Sequence, residues 1–395
     1  MAPIALRDFT LVTCLGAGRD RTIEALRAET SGLSPCDFPG VEFPTHVGAV
    51  PGLDRPLEGD LAGFDCRNNR LAALTLREDS FIASVAAARE RYGAARVGVF
   101  LGTSTSGLLQ SEEAYRRRDA VTGRLPDDFD YARTHNTYSL ARFVRAALHL
   151  AGPAFVMSSA CAATAKTFAS GARMIASGIC DAAVVGGADT LCATTLYGFH
   201  SLGVIAEQPC RPFDAERGGI SIGEAAGFVL LERAQGRVDA DTVLLLGVGE
   251  SSDAYHMSSP HPDGVGARLA MERSLACAGL SAADIDYINL HGTATLVGDA
   301  AEDRAVSDVF GPHTPCSSTK GFTGHTLGAS GAIEAIFAAL AISNGFMPGS
   351  PHTVAIDPAF GSHYLLASER NRVDRVISNS FGFAGANCSL VLGRA

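Results

Sequence analysis

The 395-residue sequence has no tryptophan, only two lysines among its 32 basic residues, and charged residues at 19% of the chain. With 47% hydrophobic residues, so little charge excludes the composition of a disordered protein and allows a large buried core. The formal charge of −10 and the lack of a long basic run argue against a nucleic-acid or anionic-membrane partner. The run at 116–118 is short and reads as a solvated loop or helix end. Residues 1–16 have no cationic segment leading into an apolar signal core. No apolar stretch is expected to reach transmembrane length, so a cytoplasmic protein is expected. The ten cysteines include no Cys-x2-Cys pair, which counts against a zinc site and against an oxidised secreted framework. Most of them read as small buried hydrophobes.

What is present alternates. Short runs rich in Val, Ile and Leu predict buried strands over 96–101, 154–157, 182–186, 242–249, 287–290 and 375–377. Between them, helical spacing of apolar and small residues predicts helices over 65–91, 137–150, 162–177, 265–278 and 329–343, several closed by glycine. This is an α/β pattern. The segment from Glu224, Glu-Ala-Ala-Gly-Phe-Val-Leu-Leu-Glu-Arg-Ala, is echoed from Gly385 by Gly-Ala-Asn-Cys-Ser-Leu-Val-Leu-Gly-Arg-Ala. Each half also has a turn of reactive residue types followed by a small-residue helix. The chain therefore divides into a half over 1–236 holding Cys161 and a half over 237–395 holding His291 and His325. No low-complexity linker separates them.

Cys161 lies in Ser158-Ser-Ala-Cys-Ala-Ala-Thr, between a predicted strand and the helix it opens. A helix N-terminus favours thiolate over thiol and offers N–H groups to an oxyanion. A buried packing cysteine fits this context equally well. His291 ends the strand Tyr287-Ile-Asn-Leu and begins the turn Gly-Thr-Ala-Thr, a usual location for working groups in α/β folds. His325 follows Lys320-Gly-Phe-Thr-Gly, ahead of a small-residue helix. His46, His135, His149, His200, His313, His352 and His363 have no such context. Lys320 and Lys166 are the two lysines of an arginine-rich chain. A lysine kept in the turn before His325 suggests a site needing a compact ammonium, paired with a buried carboxylate such as Glu302.

The set Ser158-Ser-Ala-Cys161, His291-Gly-Thr-Ala-Thr, Lys320-Gly-Phe-Thr-Gly-His325 and Asn379-Ser-Phe-Gly-Phe-Ala-Gly-Ala-Asn387 resembles the β-ketoacyl-acyl-carrier-protein synthases of types I and II. Arg211-Pro-Phe-Asp-Ala-Glu-Arg-Gly-Gly and Ser251-Ser-Asp-Ala-Tyr-His-Met extend the resemblance over nearly the whole chain. It implies a thiolase fold, a duplicated five-layer αβαβα body, in a dimer with each pocket near the interface. It also implies that Cys161 takes an acyl group from an acyl carrier protein. His291 and His325 then stabilise the enolate formed when malonyl-carrier loses carbon dioxide. Further implied are an oxyanion hole from the N–H groups of Cys161 and Phe383, and Lys320 with Glu302 as an electrostatic pair. Phe381 and Phe383 resemble gating phenylalanines, and Thr293 and Thr295 fall in the substrate-binding turn. No cofactor or metal is implied, because the substrates ride on the carrier's phosphopantetheine. Ala384 and Ala386 replace the family's usual Gly and Thr, which predicts a stiffer gate. Ala294 replaces a Gly or Ser and is expected to leave the chemistry intact.

Two further expectations follow from the same resemblance. Arg67 and Arg70, three apart on a predicted helix, match a basic carrier-facing region, although a solvated helix face fits them too. Thr105, in Gly102-Thr-Ser-Thr-Ser-Gly107, matches a position at the far end of the acyl pocket, where its hydroxyl would need a partner if buried. Two alternatives stay open. A thiolase shares the His325 motif, but it lacks His291-Gly-Thr and needs a second cysteine, whereas Cys388 opens an apolar strand and reads as packing. A non-catalytic chain-length partner shares the fold and typically lacks the nucleophile. A homodimer is the first expectation for assembly, with a chain-length factor as the alternative second subunit. Acyl length, and fatty-acid against polyene or polyketide synthesis, stay open.

Overall fold

The computed structural model describes residues 1–234 and 239–395; the division expected between 236 and 237 lies outside the described residues. The first half is framed by β1 (Ile4–Thr13), β2 (Val97–Gly102), β3 (Ala154–Met157), β4 (Ala182–Asp189) and β5 (Ala225–Arg233). The second is framed by β6 (Val243–Ser252), β7 (Tyr287–Asn289), β8 (Pro315–Ser317), β9 (Arg375–Gly382) and β10 (Ala386–Arg394). The spatial order is β3-β2-β4-β5-β1 in the first half and β8-β7-β9-β10-β6 in the second. In each, the fifth strand runs against its two neighbours while the inner pairs are parallel. The two halves thus repeat one topology, and the echoed sequence segments are the equivalent strands β5 and β10. A short antiparallel contact, Ile4 with Leu245 and Ala5 with Leu244, joins the two sheets edge to edge.

Every residue of β2 and of β4 is buried, as near-continuous apolar strands require when both faces of a sheet are covered. The outer cover of the first sheet is α1 (Arg67–Leu76), α2 (Phe81–Tyr92) and α3 (Tyr138–Ala147); Leu71, Phe81 and Phe143 pack there on Val97, Val99 and Leu101. α4 (Ala163–Ala176) and α8 (Ser330–Asn344) lie between the sheets, where Phe168, Ile333, Ile336 and Phe337 meet Val185, Val229, Val376 and Leu390. α5 (Ala193–Ser201) follows β4, and α6 (Val265–Ala278) and α7 (Leu296–Phe310) cover the second sheet. The result is the five-layer thiolase fold.

Two expectations change. The single helix expected over 65–91 is split into α1 and α2. Asp79 and Ser80 take left-handed backbone (φ 55 and 62), and the Asp79 carboxylate accepts bonds from Thr10 Oγ1 and the Arg19 N–H. Leu327–Asn344 is long and apolar enough to cross a membrane by length and composition, against the expectation that no stretch is. It is 89% buried, because α8 is the central helix with a sheet on either side.

Candidate active site

The two central helices bring the reactive residues together from opposite halves. Cys161 sits in a tight turn, Ala160–Ala162, between β3 and α4. Ala160 is left-handed (φ 50), so the chain reverses directly before the nucleophile position. His325 stands just ahead of the equivalent turn, Leu327–Ala329, that opens α8, and its N–H donates to the Ser221 carbonyl at 2.7 Å. His291 follows the end of β7. The Sγ of Cys161 lies 3.0 Å from His325 Nε2, and the ligand atoms of Cys161, His291 and His325 all fall within 4.8 Å of one another. The two imidazoles meet edge to face, centroids 5.4 Å apart.

The hydrogen bonds fix the tautomers. The Leu327 N–H donates to His325 Nδ1 at 3.2 Å, so a neutral ring carries its proton on Nε2, aimed at the sulfur. Ser330 Oγ lies 3.0 Å from the same Nδ1. Lys320 Nζ is 3.4 Å from His291 Nδ1, and an ammonium can only donate, so His291 likewise bears its proton on Nε2. Burial, with the Lys320 charge behind it, holds both imidazoles well below the usual histidine value, so both are neutral donors. Cys161, His291 and His325 would make a three-ligand metal set by proximity. Zinc would need the Nε2 lone pairs, and those are occupied by protons while Nδ1 accepts.

Burial pushes the Cys161 thiol up to about 11, while Lys320 and the backbone N–H groups of Phe383 and Cys161 pull the other way. Burial is the larger effect, and the thiolate expected from the helix terminus alone does not follow. Sγ opens onto a cavity of about 320 Å³. Thr293, Thr295, Phe381 and Phe383 line it, and Phe383 packs at a tilt against Phe199 with centroids 5.6 Å apart. Thr295 Oγ1 also caps α7, accepting from the Gly298 N–H at 3.2 Å. Ala384 is left-handed (φ 60), a conformation that costs an alanine about 1–2 kcal/mol and a glycine little. The loop is latched by the Ala384 N–H to the Met257 carbonyl (2.8 Å) and the Asp253 N–H to the Gly385 carbonyl (3.0 Å).

Four sequence expectations are corrected by these contacts. Lys320 pairs with Glu334 of α8, and its ammonium also donates to the His291 carbonyl. Glu302 instead accepts the backbone N–H groups of His291 (2.8 Å) and Gly292 (2.7 Å), so it shapes the histidine turn. Arg67 is engaged with the fully buried Glu224, Nε to Oε2 at 2.9 Å, and Arg70 with Asp65, Nε to Oδ1 at 2.7 Å; neither is a free basic group on the surface. Thr105 is buried and finds a partner, its hydroxyl donating to Asp189 at 2.7 Å, but it does not line the cavity. Cys388 is fully buried in β10. Glu334 and Phe199 were missed. Glu334 had a signal, as the one charged residue in Ser-Gly-Ala-Ile-Glu-Ala-Ile-Phe-Ala-Ala-Leu-Ala-Ile-Ser-Asn.

Residues 75–236 match the family described as "Beta-ketoacyl synthase, N-terminal domain", and residues 243–354 match "Beta-ketoacyl synthase, C-terminal domain". The chain is 31% identical to the 3-oxoacyl-[acyl-carrier-protein] synthase 2 of Coxiella burnetii, over 99% of this chain and 98% of that one. It is 40% identical to the mitochondrial 3-oxoacyl-[acyl-carrier-protein] synthase of Arabidopsis thaliana over 61% of this chain, an alignment that spans 56% of that protein. Among solved structures, a chain of the complex of the ketosynthase ApeO with its chain length factor ApeC from Xenorhabdus doucetiae is 36% identical. It superposes with a TM-score of 0.90 over 100% of this chain and 98% of that one. The chain belongs to the β-ketoacyl synthase family. It is a condensing enzyme of the acyltransferase class.

Proposed function

We propose that the protein joins an acyl group carried on Cys161 to malonyl-acyl carrier protein by decarboxylative Claisen condensation. The observation that carries this reading is the approach of Cys161 Sγ and two neutral Nε2–H donors inside one cavity. In the first half-reaction the sulfur attacks the acyl thioester and the carrier's thiol leaves with the proton. The N–H groups of Cys161 and Phe383 face the oxygen that becomes negative. In the second, the bond between the malonyl carboxylate and Cα breaks and carbon dioxide departs. Its electron pair forms an enolate whose oxygen accepts from His291 and His325. Cα then bonds to the acyl carbon, and the C–S bond to Cys161 breaks. Lys320 acts behind the rings, adding to burial in keeping both neutral and holding His291 in the Nε2–H form, while the Leu327 N–H does the same for His325. Thr293 and Thr295 line the way in for the phosphopantetheine arm, with Phe381 and Phe383 as gate. This chemistry asks for no cofactor held by the chain itself, and its ten free thiols suit a reducing cytoplasm.

Cys161→Ala should form no acyl adduct with acyl-carrier, detected by mass, while His291→Ala and His325→Ala should be acylated but release no carbon dioxide from malonyl-carrier. An adduct on the Cys161→Ala variant, or normal decarboxylation by both histidine variants, would overturn the roles.

For assembly we propose a dimer through β3, the edge strand of the first sheet, whose half-buried Phe155 and Met157 have no outer neighbour among the described residues. The partner is a second copy of this chain. A chain-length factor is the second reading, favoured by the Xenorhabdus complex. In that case the enzyme serves a polyene or polyketide pathway rather than primary fatty-acid synthesis. Native mass measurement of the purified chain distinguishes these: a homodimer supports the first, and a monomer that dimerises only with a neighbouring gene product supports the second.

A further inference from the structure

Thr164 stands three residues beyond Cys161, in the first turn of α4, and is fully buried. Its hydroxyl donates to the Gly328 carbonyl at 2.7 Å and accepts from the Ala332 N–H at 2.9 Å. Both partners belong to the other half of the chain: Gly328 lies in the turn after His325, and Ala332 in the first turn of α8. The Ala332 N–H is among the first donors of that helix, which have no carbonyl within their own helix to bond, and Thr164 supplies the acceptor from outside. The methyl of Thr164 occupies a slot between Gly102 and Gly187, which pair across β2 and β4. A Cβ on either glycine would approach that methyl to 2.9 Å and 2.8 Å. Beside it, Gly331 leaves room for Ala165, whose backbone N would lie 2.5 Å from an added Cβ. The N-termini of the two central helices therefore meet without clearance, and Thr164 is the polar tie between them.

That tie reaches the reacting groups through two short links. Cys161 belongs to the turn that starts α4. On the other side, Leu327, whose N–H fixes the His325 tautomer, immediately precedes Gly328, whose carbonyl Thr164 holds. Loss of the hydroxyl would leave the Gly328 carbonyl and the Ala332 N–H buried without this partner and would free the 327–329 turn.

We propose that Thr164 is a positioning residue for the condensation, setting the approach of His325 Nε2 to Cys161 Sγ by tying the His325 turn to the nucleophile helix. The inference rests on the roles proposed above for Cys161 and His325. Thr164 does not line the cavity and acts through those two residues.

Two pairs of proteins isolate the hydroxyl. Wild type against Thr164→Val changes it at nearly constant shape. Thr164→Ser against Thr164→Ala changes it with the methyl slot already empty, so the comparison survives if valine does not fold. The variants lacking the hydroxyl should lose about tenfold to about a hundredfold in kcat for condensation, with KM for malonyl-carrier within about twofold. Their pH profile for alkylation of Cys161 by iodoacetamide should move to higher pH, because the donor beside the sulfur is no longer held. Thr164→Ser should stay within about threefold of wild type. Serine as damaged as alanine, an unshifted alkylation profile, or failure of both hydroxyl-free variants to fold while serine folds would each assign Thr164 to packing and overturn the proposal. Cys161→Ala run alongside separates the two levels: an acyl adduct on it would remove the nucleophile assignment itself. Its absence, with wild-type behaviour of Thr164→Val and Thr164→Ala, would sink only the role of Thr164.

Discussion

The loops that follow β2 and β7 occupy the same place in the two halves, and a buried carboxylate gathers each of them. In the first half Asp189, at the end of β4, accepts the Ser104 and Thr105 N–H groups and also the hydroxyls of Thr103 and Thr105. In the second half Glu302, from α7, accepts the His291 and Gly292 N–H groups and leaves the imidazole alone. The backbone device is shared, and what differs is whether the loop's side chains are consumed by it. Where the hydroxyls turn back to the carboxylate, the loop becomes part of the core. Where only main chain is held, the side chain at the strand end is free to face the cavity. One duplicated frame thereby yields a structural loop in one half and a reactive one in the other.

Changing each carboxylate to its amide is the strongest way to break that comparison. Glu302→Gln sets an amide NH2 against one of two backbone N–H groups, leaving a buried donor unpaired at a cost of about 1–3 kcal/mol. Malonyl decarboxylation should fall about tenfold or more, while acyl transfer to Cys161 stays within about twofold. Asp189→Asn should lower the unfolding free energy by about 1–3 kcal/mol in denaturant titration. Any rate loss should fall on both half-reactions alike. A selective loss of decarboxylation in Asp189→Asn, or an equal loss of both steps in Glu302→Gln, would show that the two loops do not divide structure and chemistry in this way.

The same contrast explains what could be read in advance. Cys161 and His291 follow strand ends and His325 precedes a small-residue helix, each inside a short motif of fixed spacing, so their place was legible before any distance was known, as was the duplication carried by β5 and β10. Contacts across the halves were not. Arg67 looks like a solvent-facing base at i, i+3 from Arg70, and nothing local reveals that Glu224, 157 residues further along the sequence, lies buried beneath it. Lys320 asked for a carboxylate, and both Glu302 and Glu334 are buried near it; only the packing of α8 against β9 decides for Glu334. Thr164 had no signal at all, because a threonine in a small-residue helix is uninformative until the glycine slot and the His325 turn close around it. Thr105 was misplaced for a related reason. Sequence shows a hydroxyl that needs a partner but not that Asp189 draws it away from the cavity.

The two regions should also differ in the sign of their response to acid, a smaller effect than the amide substitutions at neutral pH. Burial holds the folded-state value of His325 well below the ordinary 6.5, whereas the unfolded chain titrates normally. Below 6.5 the unfolded state therefore binds a proton that the folded state refuses. The stability tied to a neutral His325 is present above that pH and is lost as pH falls toward the folded value. Asp189 runs the other way: burial raises its carboxyl above 3.8 despite its hydrogen bonds, so the folded state keeps a proton the unfolded state has released. Its contribution falls as pH rises through that window. His325→Gln removes the imidazole's contribution by putting in its place a neutral side chain that cannot be protonated. Measured by urea unfolding from about pH 8 down to about pH 5, wild type should lose stability relative to His325→Gln by up to about 1.4 kcal/mol for each pH unit below 6.5. Wild type against Asp189→Asn should change in the opposite direction as pH falls toward 3.8. Parallel stability curves for wild type and His325→Gln would mean that the imidazole takes up its proton in the folded state as freely as in water. The neutral Nε2–H donor on which the enolate step depends would then be absent at acidic pH.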